Sequence, residues 1–179
     1  MARWDRDWFR RLDTELALLV HEPAVVQRAV RRELSKDPVA FAVIYLSHHL
    51  RDRSGQVTFS EIHFAWARQA LSWRRPETEP QRNRHAYIAP RETGKTTWWF
   101  LILPMWAAAH GFRRFAVAFA DASSQAETHL STFKQELETN PLLGADFPEL
   151  VAPERKRSGH SLADRAGMIH QKNGFVLAA

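Results

Sequence analysis

The stretch Ala89-Pro-Arg-Glu-Thr-Gly-Lys-Thr-Thr97 constrains this chain more than any other part of it. It fits the phosphate-loop pattern G-x-x-x-x-G-K-[ST], with Ala89 in place of the first glycine. Each residue type has a physical job. Gly94 lets the backbone turn so that successive N–H groups face a phosphate chain, Lys95 reaches the terminal phosphates, and the Thr96 hydroxyl offers a ligand to Mg²⁺. Such a loop sits where a strand ends and a helix begins. The short apolar run Ala86 to Ala89 is accordingly expected to be a strand, and Lys95 to Ala109 a helix kinked at Pro104.

The alternation continues downstream. Phe115 to Ala120 reads as a second strand and Ser123 to Glu138 as a second helix, which Asn140-Pro141 ends. Strand, helix, strand, helix argues for a right-handed crossover and a parallel sheet. Residues 144–166 read as loop, and Met168 to Gln171 with Phe175 to Ala179 as a hairpin around Lys172-Asn-Gly174.

The first 75 residues carry helical periodicity instead. Trp4, Trp8, Leu12, Leu16 and Leu19 form one apolar stripe, Pro23 suits the first turn of a second helix, and Asp37-Pro38 starts a third. Val39 to Leu46 has almost no polar face and should be buried, while Ser60 caps a helix over Glu61 to Trp73. The expected fold class is therefore α/β: an incomplete P-loop NTPase parallel-sheet core over 85–179, behind a helical N-terminal region over 1–75 and a polar linker over 76–84. The apolar run Phe175 to Ala179 needs a neighbouring strand, so the chain is expected to be the front part of something longer, with an exposed apolar edge there.

Composition narrows the chemistry. With no Cys among 179 residues, disulfides, thiolate zinc sites and thiol nucleophiles are excluded. The apolar runs are too short or too interrupted to span a bilayer, and the N-terminus does not resemble a targeting peptide, so a cytoplasmic location and no membrane partner are expected. A net charge of +5 suits a polyanionic partner.

Several residues carry two readings. Arg91 in the loop either contacts a terminal phosphate and stabilises charge during phosphoryl transfer, or pairs with Glu92. Asp121 ends an apolar run as a metal-site acid would, but a single acid there is better explained as a helix cap. His48 and His49 are adjacent, so on a helix they diverge by about 100° and should not converge on one ion. Phe59, His63 and Trp66 form an amphipathic pattern that suits a core helix, and Arg155-Lys-Arg157 a solvated basic run or a contact to DNA phosphates.

The loop, with its arginine and without its first glycine, resembles that of phage terminase large subunits, the motors that package viral DNA into a procapsid. The helix containing His63 and Trp66, the segment Ala118 to Glu127 leading into Glu136 to Leu143, and the hairpin ending at Ala179 look similar to that family's ATPase domain. The resemblance covers roughly residues 58–179. It implies ATP and Mg²⁺ held by Ala89, Pro90, Arg91, Glu92, Thr93, Gly94, Lys95, Thr96 and Thr97, with Thr96 on the metal and His63 on the adenine side. It also implies weak, sequence-independent contact with double-stranded DNA, a portal and a small terminase subunit as partners, and homo-oligomers in the full-length motor. The family's acidic strand motif and nuclease domain find no matching residues before Ala179, so nucleotide binding is expected without turnover. Two other readings remain: another P-loop enzyme, such as a helicase-like translocase or a kinase, or a non-catalytic basic interaction module.

Overall fold

A computed structural model describes residues 4–75, 85–113, 115–117, 119–151, 168–170 and 176–178. It is predominantly helical. Helices α1 (Arg6–Leu18), α2 (Ala24–Leu34), α3 (Pro38–Leu46) and α4 (Glu61–Ala70) precede the loop. Beyond it come α5 (Leu103–Ala109), α6 (Ser123–Thr139) and α7 (Pro141–Asp146). Strands β1 (Phe115–Val117), β2 (Met168–His170) and β3 (Val176–Ala178) have three residues each.

Local chemistry sets the helix starts. The Asp5 carboxylate accepts from the Trp8 amide and opens α1, and Asp37 accepts from the amides of Val39 and Ala40 with Pro38 behind it. Asn140 ends α6 and caps α7 by accepting from the amides of Leu142 and Leu143. Pro23 stands at the cap position of α2 rather than inside its first turn.

Helix α3 is the centre of the core. Val39, Phe41, Ala42 and Leu46 are fully buried, and the helix packs against α2, α4, α5 and the segment Thr97–Ile102. The same apolar cluster takes in Trp66 of α4, Trp98 and Trp106 beyond the loop, Phe133 of α6 and Phe147 after α7. One continuous core thus draws on helices from both sides of residues 76–84, which lie outside the described residues, as do Arg155, Arg157 and the turn Lys172-Asn-Gly174.

The expected α/β architecture with a parallel-sheet P-loop core is not what forms. Residues 85–90 make no strand, so none leads into the loop, and Ile88 is 97% exposed where a sheet would bury it. A short apolar run becomes a strand only when a partner supplies ladder hydrogen bonds. Among the described residues no partner meets this one. The strands that do form make a small sheet of order β1-β3-β2, with β1 parallel and β2 antiparallel to β3. β3 is the middle strand, paired along both sides, and not the open edge expected of it.

The helix after the loop also differs. Thr97–Ile102 is π-helical, with the Leu103 amide reaching back five residues to the Trp98 carbonyl, and α5 begins afresh with Pro104 in its first turn, where no amide is needed. The irregularity expected at Pro104 is a widened turn immediately before it. No helix among the described residues is long and apolar enough to cross a membrane.

His110, at the end of α5, supplies a pH dependence. Burial pushes its imidazole down to about 4, aided by the nearby positive charges of Arg32, Lys36 and Arg74 and against a hydrogen bond with the Ser35 backbone; the Ser35 Oγ lies 3.2 Å from Nε2. The unfolded chain takes up this proton near pH 6.5 and the folded one only near pH 4, so stability present above pH 6.5 is lost as the pH falls through that window. The loss attributable to His110 should reach roughly 3 kcal/mol. Urea denaturation at pH 7 and pH 4.5 measures it, and parallel losses in wild type and His110→Gln would assign the effect elsewhere.

Candidate phosphate-binding loop

The loop hangs between two aromatic anchors. At the start of α4, Ser60 and His63 form a capping box, in which the Ser60 amide donates to His63 Nδ1 at 3.1 Å. His63 Nε2 therefore carries the hydrogen and donates it to the Thr93 carbonyl at 2.7 Å. The imidazole lies flat on the Trp98 indole, with ring centroids 5.4 Å apart and planes 16° from parallel. Trp98 is fully buried, so the stack ties the loop to the core through the helix that precedes it and the one that follows. Behind the loop, the Nε1 atoms of Trp98 and Trp99 and the Tyr87 hydroxyl are buried without a hydrogen-bond partner among the described residues.

Residues 89 to 96 line a single cavity of about 370 Å³. Two of its residues have left-handed backbone, Glu92 at φ 65° and Gly94 at φ 70°, with Thr93 at negative φ between them. Backbone that alternates in the sign of φ is a feature of anion-binding nests, in which successive amides face one side. The Thr93 hydroxyl donates to the Pro90 carbonyl at 3.0 Å and closes the turn. Arg91, Lys95 and the Thr96 hydroxyl are exposed around the cavity. Neither cation has an ion-pair partner among the described residues, so the alternative pairing of Arg91 with Glu92 does not occur. Glu92 is the one carboxylate among the lining residues. A second cavity of about 370 Å³ beside α1 is lined by Arg11, Lys36 and Arg74 but also by Glu15, Glu33 and Asp37, so its charges offset one another.

Gly94 is required by its backbone rather than by crowding. A Cβ there would stand 3.6 Å from His63 Nε2 and 3.8 Å from Trp98 Cδ1, which is ordinary contact. Gly94→Ala should therefore destabilise the protein only by the cost of a left-handed alanine, about 1–2 kcal/mol. A urea-melt difference near zero would show that the loop leaves this conformation without penalty.

The other expected site residues fall as follows. Trp66 is 1% exposed and belongs to the core, and both ring nitrogens of His63 are engaged by backbone. What His63 visibly does is fix the loop. Asp121 is exposed, and the N-cap of α6 is Ala122 without a side-chain bond, so Asp121 is not the cap it resembled.

His48 and His49 do converge, contrary to the divergence expected of adjacent residues. From the 3₁₀ turn Ser47–Leu50, both Nε2 atoms reach Glu136 Oε1 on α6, at 2.8 and 2.9 Å. Burial alone would raise the Glu136 carboxyl, but hydrogen bonds from His49, Asn140 and His48 outweigh it and bring it down to about 2.

Comparison with protein-family models, curated proteins and solved structures gives no match to this chain.

Proposed function

We propose that residues 89–97 bind the triphosphate of ATP together with Mg²⁺. The observation that carries this reading is the cavity lined by an unbroken run of loop residues, with left-handed turns at Glu92 and Gly94 and, at its edge, two cations without an ion-pair partner among the described residues. Backbone amides and the Lys95 ammonium supply complementary charge to phosphate oxygens, and Arg91 supplies a second cation within the same turn. The Thr96 hydroxyl is one oxygen ligand for Mg²⁺, a hard cation that takes its remaining ligands from phosphates and water. The reading rests on the loop and not on the surrounding architecture, which is helical.

The setting of this binding is the second part of the proposal: a terminase-like motor acting on double-stranded DNA. Its support is the composition of the loop, with Arg91 inside it and Ala89 for the first glycine, and the net charge of +5, which suits weak, salt-sensitive contact with phosphate backbones. Isothermal calorimetry with ATP and Mg²⁺ tests the first part, with tripolyphosphate as competitor. Binding that tripolyphosphate displaces and Lys95→Ala weakens supports phosphate recognition by the loop. Absence of binding, or binding indifferent to Lys95, refutes it.

A further inference from the structure

We infer that His48, His49 and Glu136 form a binding site for a divalent transition-metal ion of the zinc type. Each residue offers one donor atom, and all three atoms lie within 4.8 Å of one another. The arrangement needs little change to receive an ion: four-coordinate zinc, with bonds of about 2.0–2.2 Å, places its donors about 3.3 Å apart. The two Nε2 atoms already stand 2.8 and 2.9 Å from the same carboxylate oxygen.

The donor set selects the ion. Two imidazoles and one carboxylate suit Zn²⁺, Co²⁺ or Ni²⁺, whereas Mg²⁺ and Ca²⁺ prefer oxygen alone. The carboxylate is also held from behind, because Asn140 Nδ2 donates to Glu136 Oε2 at 2.9 Å and to the Tyr45 carbonyl at 2.8 Å. Such outer hydrogen bonds orient metal ligands and tune their basicity. The side chain of His48 is 52% exposed while that of Glu136 is 9% exposed, so the site is anchored inside and open on one side. An ion there has an entry path and a coordination position left for water or an exchangeable ligand. In binding, the ion replaces the two N–H···O bonds, and each neutral imidazole carries its hydrogen on Nδ1 instead of Nε2.

The site would also be a clip. It joins the turn after α3 to α6, and α6 packs on Thr97–Ile102, the segment that leaves the phosphate loop. It is independent of the loop's own chemistry, so its fate is separate from that of the nucleotide reading.

The test uses the full chain, stripped with EDTA and dialysed, without nucleotide. Titration with Co²⁺ should give a visible ligand-field spectrum at one equivalent, Zn²⁺ should displace it, and Zn²⁺ should raise the melting temperature where Mg²⁺ does not. His48→Ala, at a half-exposed position, and His49→Ala should each weaken Zn²⁺ binding by about tenfold or more, at least what loss of an outer hydrogen-bond partner costs a metal site. The chain has nine histidines, so incidental binding is the competing outcome. Equal Zn²⁺ affinity in wild type and the His48→Ala/His49→Ala double variant, or no Co²⁺ spectrum in wild type, would overturn the site.

Discussion

Asp146→Ala should lower the stability of the protein by about 3–5 kcal/mol, a large share of the roughly 5–15 kcal/mol that keeps a typical domain folded. Asp146 is fully buried, yet every part of it is engaged. Arg31 grips it from α2 with Nε 2.6 Å from Oδ2 and Nη2 2.8 Å from Oδ1, the Tyr45 hydroxyl donates to Oδ2 at 2.9 Å, and Arg32 donates to its backbone carbonyl at 2.8 Å. Removal of the carboxylate leaves a largely buried guanidinium and a buried phenol without their partner, and the cost of that unpaired charge dominates. Burial and the neighbouring carboxylate already push the Tyr45 phenol far above its usual range. Arg31→Leu should be damaging for the mirror reason. The double variant Arg31→Leu/Asp146→Leu should lose much less than the sum, because a buried ion pair replaced by apolar groups leaves no orphan charge. Urea denaturation of the set decides it: an Asp146→Ala loss no bigger than that of the exposed pair Lys36–Glu33, whose sides are 45% and 71% exposed, would mean the pair is not the keystone its geometry makes it.

The second large effect concerns binding rather than stability. Lys95→Ala should weaken ATP·Mg²⁺ by roughly ten- to a hundredfold, since a charge-assisted contact to phosphate contributes about 1.5–3 kcal/mol. The side chain is exposed and unpaired among the described residues, so thermal stability should be unchanged and the loss cleanly one of affinity. Calorimetry on wild type and variant at the same salt concentration measures it. Identical dissociation constants would remove the phosphate loop from this protein's chemistry.

What can be read from the sequence, and what cannot, divides by distance along the chain. Asp37 before Pro38 and Ser60 before α4 are legible because a cap acts within three residues of itself, whereas Asn140-Pro141 is legible as the end of α6 but not as the start of α7. The turn at Gly94 and the cations Arg91 and Lys95 beside it are legible for the same reason, being contiguous, whereas the left-handed turn at Glu92 is not. The strand expected at 86–89 is not, because an apolar run carries no information about whether a partner strand lies beside it. Asp121 misleads by its position alone: it stands one residue before the N-cap that Ala122 occupies. The rule that adjacent helical residues diverge holds for Cβ directions, but the long imidazole side chains of His48 and His49 turn back onto a carboxylate 88 and 87 positions away. Neither that cluster nor the grip of Arg31 on Asp146, 115 positions apart, leaves any local signature.

The central place of α3 sets a timetable for biosynthesis. Its residues from Pro38 to Ala42 are buried, and the groups that cover them include Trp98, Trp106 and Phe147, all made later on the ribosome. The counter-charge for Arg31 arrives 115 positions after it, at Asp146. Until residues 146 and 147 are made, the nascent polypeptide therefore holds an apolar helix without its full cover and a cation awaiting burial. Contacts of such long sequence separation close slowly, and exposed apolar segments in the interval are what chaperones bind and what aggregates nucleate on.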